Sequence, residues 1–282
     1  MCCVCFLRWH GGPSVLHCSE ICWQQYFIRV KMLATYIRDI YKESDKKQLA
    51  DAIEEIASAV DSNGWASSGV YCFWDPQTNN ILYIGLASDL YSRFREHNNL
   101  KQCPAKGCKK ENIASWFHDN EYLGYSILVQ SRLSQTEVAR NYGKLIKSHG
   151  SDLYDPRDAI GISEGLLIEV EKLKHGQLPS WNKIGGASYG KNKATEMHIE
   201  FTELFTTKRT DLRVAQKTIR EIASSAEFES FELFLHAIRQ MMAITNWTFG
   251  RAWQELPDDF YAKDRIIEQH YVPNINNLIK EI

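Results

Sequence analysis

Leu49, Ile53, Ile56 and Val60 recur at i, i+4, i+7 and i+11 and predict one apolar helix face. Ser44 or Asp45 can cap this helix, and Asp61-Ser62-Asn63-Gly64 ends it. The pattern turns helical at Met32, so 32–64 is expected to be an N-terminal helical segment. Then the period changes. Residues 69–74 are β-branched and aromatic, residues 75–80 are turn-rich, and residues 81–85 are again strand-like, which together predict a hairpin. Ser88 can cap a short helix running to about Asn98, and 99–112 reads as a polar loop. A third strand is expected near 122–130, helices near 134–148 and 157–175, and a Gly/Ser/Lys-rich linker at 185–193. From 195 to 282 the pattern is mostly helical, with Leu212, Ala215, Ile219 and Ile222 at helical spacing. The expectation is an α+β fold: a small mixed or antiparallel three-stranded sheet flanked by helices, within 65–190, followed by a helical C-terminal region.

Residues 1–31 show neither period. They hold five of the eight cysteines, Cys2, Cys3, Cys5, Cys18 and Cys22. No paired C-x2-C spacing supports a zinc knuckle. The segment reads as an extension ahead of a start at Met32, with an unstructured or locally packed arm and a metal site as the other readings. Arg8, His10 and Gly11-Gly12-Pro13 break any secretory apolar run. No stretch is long and apolar enough for a membrane span. A cytoplasmic protein is expected, in which disulfides rarely persist.

The formal net charge is −2, from 33 Lys+Arg and 35 Asp+Glu, which argues against a general DNA coater but leaves room for a local basic face.

The candidate chemistry lies on the hairpin and on the segments C-terminal to it. Gly69-Val70-Tyr71 is followed, after eleven residues, by Tyr83-Ile84-Gly85, and the next helix carries Arg93 and His97. Later come Leu166-Leu167-Ile168-Glu169, Pro179 and Asn182. Taken singly, each residue is more often structural: core tyrosines, a solvated helix face, an exposed glutamate, a turn asparagine. In this order and spacing the chain resembles the GIY-YIG nuclease superfamily over about 67–186, with Val70 in place of Ile and a long insertion at about 99–160.

Elementary chemistry agrees with the resemblance. Tyr71 and Tyr83 sit near opposing hairpin positions and can share a face, and Gly85 permits close approach of backbone or phosphate. Arg93 and His97, an i, i+4 pair, leave one helix face together, and a guanidinium can hold phosphate oxygens. Among Glu164, Glu169 and Glu171, only one can face a given site, since Glu164 lies about 140° and Glu171 about 200° around the helix from Glu169. Ile162, Leu166 and Leu173 flank Glu169, and the spacing to Pro179 and Asn182 favours it, although one residue longer than in the family.

The resemblance implies a Mg²⁺-dependent (or Mn²⁺-dependent) endonuclease with one ion per site, acting on DNA, with Tyr71, Tyr83, Arg93, His97, Glu169 and Asn182 at its centre. Tyr71 would activate water, His97 accept or relay its proton, Arg93 and Tyr83 hold the phosphate, Glu169 hold the metal, and Asn182 orient the glutamate or its turn. Gly85, Lys101, Lys106, Lys109, Lys110, Lys191 and Lys193 are candidate nucleic-acid contacts. Trp65, Trp74 and Trp116 could stack on bases but are more simply buried. Cys103 and Cys108 could form half a zinc site. A restriction or defence role is preferred, because an Arg-x3-His helix with long insertions resembles stand-alone restriction enzymes of this superfamily. Repair and mobile-element roles stay open, as does a non-catalytic nucleic-acid-binding module. A third reading makes the chain an interaction protein through the apolar stretch 228–242, and self-association is compatible with any of these.

Overall fold

The computed structural model describes residues 33–57, 65–103, 107–130, 156–207, 211–257 and 261–281. The early cysteines, the stop signal at 61–64, Lys106 and the helix expected at 134–148 lie outside them.

The sheet has four antiparallel strands, in the order β1-β4-β2-β3. They are β1 (Leu33–Tyr41), β2 (Gly69–Trp74), β3 (Ile81–Ala87) and β4 (Leu123–Gln130). The strand more than expected is β1, which corrects the helical reading after Met32. Thr35, Ile37 and Ile40, with Tyr36 and Tyr41, are strong strand formers. They pair with β4 from Leu33↔Gln130 to Tyr41↔Leu123. Both faces of this strand are covered, which hides the period-2 alternation of a half-buried strand. Tyr36 is buried on one face with Val70 and Cys72, Ile37 and Tyr41 on the other with Tyr71 and Phe73.

The predicted helix is α1 (Lys46–Ala57), which buries Leu49, Ile53 and Ile56; Ser44 and Asp45 belong to a 3₁₀ turn before it. Helix α2 (Leu90–His97) is capped by Asp89, not Ser88: the Asp89 carboxylate accepts from the Ser92 amide at 2.8 Å. The expected polar loop after it closes early into α3 (Lys110–Asp119). A long helix, α4 (Pro156–His175), packs on the second face of the sheet through Ile160, Leu167 and Ile168. The expected linker contains a short helix, α5 (Ser188–Lys191), which lies so close to α4 that a Cβ on Gly190 would overlap the Ile162 carbonyl.

The C-terminal region is built into the fold. After α6 (Ile199–Glu203), the Val214 segment bridges β1: the Tyr36 amide donates to Arg213 O at 2.9 Å and the Ala215 amide to Tyr36 O at 2.8 Å. Of the apolar series beginning at Leu212, only Ile219 and Ile222 are helical, in α7 (Ile219–Ala223); Ala215, Ile219 and Ile222 all join the core around Tyr71. Helix α8 (Ala226–Thr245) comes next, with α9 (Phe249–Glu255), α10 (Tyr261–Glu268) and α11 (Ile275–Leu278) closing a core of their own around Phe231, Phe234 and Trp253. The stretch 228–242 is core-forming. Arg220 chelates the buried Asp39 (2.8 Å), and His236 of α8 bonds the Thr35 hydroxyl at 2.7 Å, so both helices are fastened to β1 by buried polar contacts. Among the described residues, no helix is long and apolar enough to cross a membrane.

Candidate nuclease site

Strand pairing sets the first geometry. Tyr71 is opposite Gly85, and Tyr83 is opposite Phe73, so both tyrosines project from one face on a diagonal, with ring centroids 5.8 Å apart. Gly85 is required by its neighbour: a Cβ there would stand 2.6 Å from the Tyr71 hydroxyl. Its missing side chain makes room for a phenol rather than for a ligand. The Tyr71 ring is buried, whereas Tyr83 is partly open.

His97, fully buried at the end of α2, links the tyrosines to the loop beyond. Its Nε2 lies 2.7 Å from the Tyr71 hydroxyl, and its Nδ1 accepts the Lys109 backbone N–H at 3.0 Å. A backbone amide can only donate, so Nδ1 carries no proton and Nε2 does. The imidazole therefore donates to Tyr71, and Tyr71 in turn hydrogen-bonds Tyr83. Burial, with the nearby charges of Arg93 and Lys109, pushes the His97 pKa down to about 3. Of the two roles expected of His97, acceptor or relay of the proton, the free-acceptor form is not the one that faces Tyr71: the uncharged imidazole presents its Nε2–H there. Burial also holds the Tyr71 phenol well above its ordinary range. Tyr83 is raised by burial too, but the Tyr71 hydrogen bond and the Arg93 charge pull it down while Glu164 pushes it up.

Arg93, one turn before His97, is about one-third exposed and pairs with Glu96 at 2.8 Å. Its charge acts on Tyr71, Tyr83 and His97 alike.

The outer edge of β3 is closed residue by residue. The Trp181 amide donates to Leu82 O (2.8 Å). Asn182 accepts from the Ile84 amide and donates to the Ile84 carbonyl, both at 2.9 Å. The Leu86 amide donates to the carboxylate of Glu164. Asn182 thus pins the Tyr83-bearing strand instead of orienting a glutamate.

The carboxylate brought to this edge is Glu164, not Glu169. On α4, Glu164 shares a face with Ile160, Leu167, Ile168 and Glu171, the face packed on the sheet. Glu169 lies on the face covered by the 186–191 segment, where its Oε1 pairs with Lys172 (3.2 Å) and its buried Oε2 stands 3.8 Å from Lys191 without a hydrogen bond. Ile162 and Leu166 do turn Glu169 inward, but toward that segment. Burial raises Glu164 to about 7, with the Leu86 amide opposing it. A desolvated carboxylate of this kind is a donor that a divalent ion would satisfy. Among the described residues no three His, Cys, Asp or Glu side chains form a metal-binding group.

The lysines divide. Lys101 is exposed and bonds Ser92 (2.6 Å), Lys110 is exposed, Lys191 is tied to Glu169, and Lys193 lies over the Tyr189 ring. Lys109, expected as a nucleic-acid contact in a polar loop, is buried: its ammonium sits 4.5 Å from the Tyr83 ring centre and donates to Trp181 O at 2.8 Å. Trp65 and Trp74 are buried, and Trp116 packs against Trp181. Cys103 and Cys108 are joined in a disulfide, which replaces both the half zinc site and the expectation of free thiols there.

A sheet-borne tyrosine pair, with an arginine and a histidine on the following helix and a carboxylate at the sheet edge, is an arrangement suited to phosphoryl chemistry. Residues 67–118 match the family model of the GIY-YIG catalytic domain. By these residues the chain carries a GIY-YIG catalytic domain, which supports membership of the GIY-YIG nuclease superfamily. No curated protein and no solved structure matches the chain.

Proposed function

We propose that the protein is a divalent-metal-dependent endonuclease that hydrolyses DNA phosphodiester bonds at the Tyr71–Tyr83–Arg93–Glu164 site. The observation that carries this reading is the convergence on one edge of the sheet of a hydrogen-bonded phenol pair, a guanidinium and a desolvated carboxylate.

Glu164 would hold one Mg²⁺ or Mn²⁺, completing its shell with water and substrate oxygens, and the ion would supply charge neutralisation at the leaving oxygen. Arg93 binds the phosphate and stabilises its pentacovalent state; Glu96 orients the guanidinium until substrate arrives. The phenols act as one unit. His97 donates to Tyr71 and Tyr71 donates to Tyr83, so the partly open Tyr83 oxygen is the end that meets the attacking water and accepts its hydrogen bond. As the water oxygen bonds to phosphorus and the P–O3′ bond breaks, the water's proton passes to bulk solvent and the leaving 3′-oxygen takes one from it. Asn182 holds Ile84, next to Tyr83, in register.

A restriction-like role is favoured by the Arg93-x3-His97 helix and by the large share of the chain outside the catalytic segment, more than cleavage itself requires. The test is incubation with supercoiled plasmid in Mg²⁺ or EDTA, beside Arg93→Ala. Cutting that needs metal and falls at least a hundredfold in Arg93→Ala supports the reading. Metal-independent cutting, or equal cutting by both proteins, opposes it.

A further inference from the structure

Lys109 lies outside the Tyr, Arg, His, Glu and Asn set, yet it touches that set at both ends. Its backbone N–H occupies Nδ1 of His97, and its ammonium stands over the Tyr83 ring and on the Trp181 carbonyl. Trp181 precedes Asn182, which pins β3. We propose, given the nuclease reading above, that Lys109 is a positioning residue of the site: its amide fixes which nitrogen of His97 bears the proton, and its ammonium holds the Tyr83 ring and the 181–182 turn in one arrangement.

A buried lysine is costly unless its charge is satisfied. Lys109 is 6% exposed and its ammonium has a carbonyl and an aromatic face as partners. The charged neighbour acting on it is not a carboxylate but Lys183, which with burial lowers its pKa. A surface role would need none of this. A uniformly apolar side chain would fill the space at lower cost, and the position of this cation, over Tyr83 and beside His97, points to a task there. The titratable and charged groups facing His97 are Tyr71 from β2, Tyr83 from β3, Arg93 from its own helix and Lys109. Two of these are cations, and removing one of them makes the imidazole easier to protonate. The Lys109 backbone amide survives any side-chain change other than proline, so the two functions of the residue can be separated.

The experiment uses the full chain with Lys109→Met, which keeps the length of the stem and removes the charge, and with Lys109→Arg. Plasmid cleavage gives kcat and KM, and ¹⁵N NMR of the histidine ring reads the tautomer and the protonation of His97 without DNA. The expected result is that Lys109→Met loses at least tenfold in kcat with KM within twofold, that Lys109→Arg recovers most of the loss, and that His97 stays protonated at Nε2 in both. In Lys109→Met, protonation of His97 also begins at a higher pH than in wild type. Unchanged kcat in Lys109→Met overturns the proposal, and a loss confined to KM overturns it in favour of a phosphate contact. An unmoved His97 titration overturns the link to His97. If the wild type cuts no nucleic acid, the nuclease reading fails, while the NMR result still decides whether Lys109 sets the state of His97.

Discussion

Nε2 of His97 stands 2.7 Å from the Tyr71 hydroxyl and holds the proton between them, because Nδ1 is already taken by the Lys109 amide. The imidazole is a neutral donor in the interior, and its two hydrogen bonds are separable by mutation. His97→Asn places a carbonyl near the Nδ1 position and His97→Gln an amide near Nε2. Each keeps one of the two bonds, and His97→Ala leaves both the tyrosine and the Lys109 amide unsatisfied. The expected order of stability in urea unfolding is wild type, then Asn and Gln, then Ala, with Ala losing about 2–4 kcal/mol. Equal stability of Ala and wild type would contradict the buried relay.

Glu164 gives a pH signature with a definite sign. Its folded pKa of about 7 lies above the ordinary carboxylate value of 4.5. The folded state therefore disfavours the ionised form, and this contribution to stability is intact below about 4.5 and is lost as pH rises through 7. At pH 8 without metal, Glu164→Gln is expected to exceed wild type by up to about 3 kcal/mol. Adding Mg²⁺ or Mn²⁺ at pH 8 should raise the Tm of wild type and leave Glu164→Gln unmoved, with a much smaller rise at pH 5. A metal-induced rise of equal size in both proteins would remove Glu164 from the metal site.

Asp39 and Arg220 test whether the C-terminal region belongs to the body of the protein. Asp39 is buried and receives the Arg220 backbone amide as well as its guanidinium, 181 residues away in the chain. Asp39→Ala leaves the arginine without its partner and is expected to cost about 3–5 kcal/mol in chemical denaturation. Ending the chain before residue 195 removes Val214, Ala215, Ile219 and Ile222 from the sheet and should yield protein without a cooperative melt. A sharp melt in that shortened chain would show the region to be dispensable.

The hairpin, with Tyr71 and Tyr83 on one face, and the Arg93–His97 pair are legible in the sequence because strand alternation and helical periodicity are local. Glu164 is legible only as one of three carboxylates on its helix. Apolar neighbours mark an inward face without saying which partner it faces; Ile162 and Leu166 turn Glu169 toward the 186–191 segment. Strand β1 is hidden because a strand covered on both faces loses its alternation. Lys109 carries no local sign of burial: its environment comes from Trp181, 72 residues later. The spacing of Leu212, Ala215, Ile219 and Ile222 matches a helix by coincidence, since Leu212 lies in a turn and Ala215 follows the Val214 bridge to β1.

Metal-dependent DNA cleavage should turn on Glu164, the carboxylate at the edge of the Tyr83 strand. The most direct measurement is the initial rate of supercoiled plasmid nicking in Mg²⁺ for wild type, Glu164→Gln and Glu169→Gln under identical conditions. The expected result is a loss of at least about a thousandfold in Glu164→Gln and a rate within about fivefold of wild type in Glu169→Gln. The reverse order, or equal rates in all three proteins, would contradict this assignment.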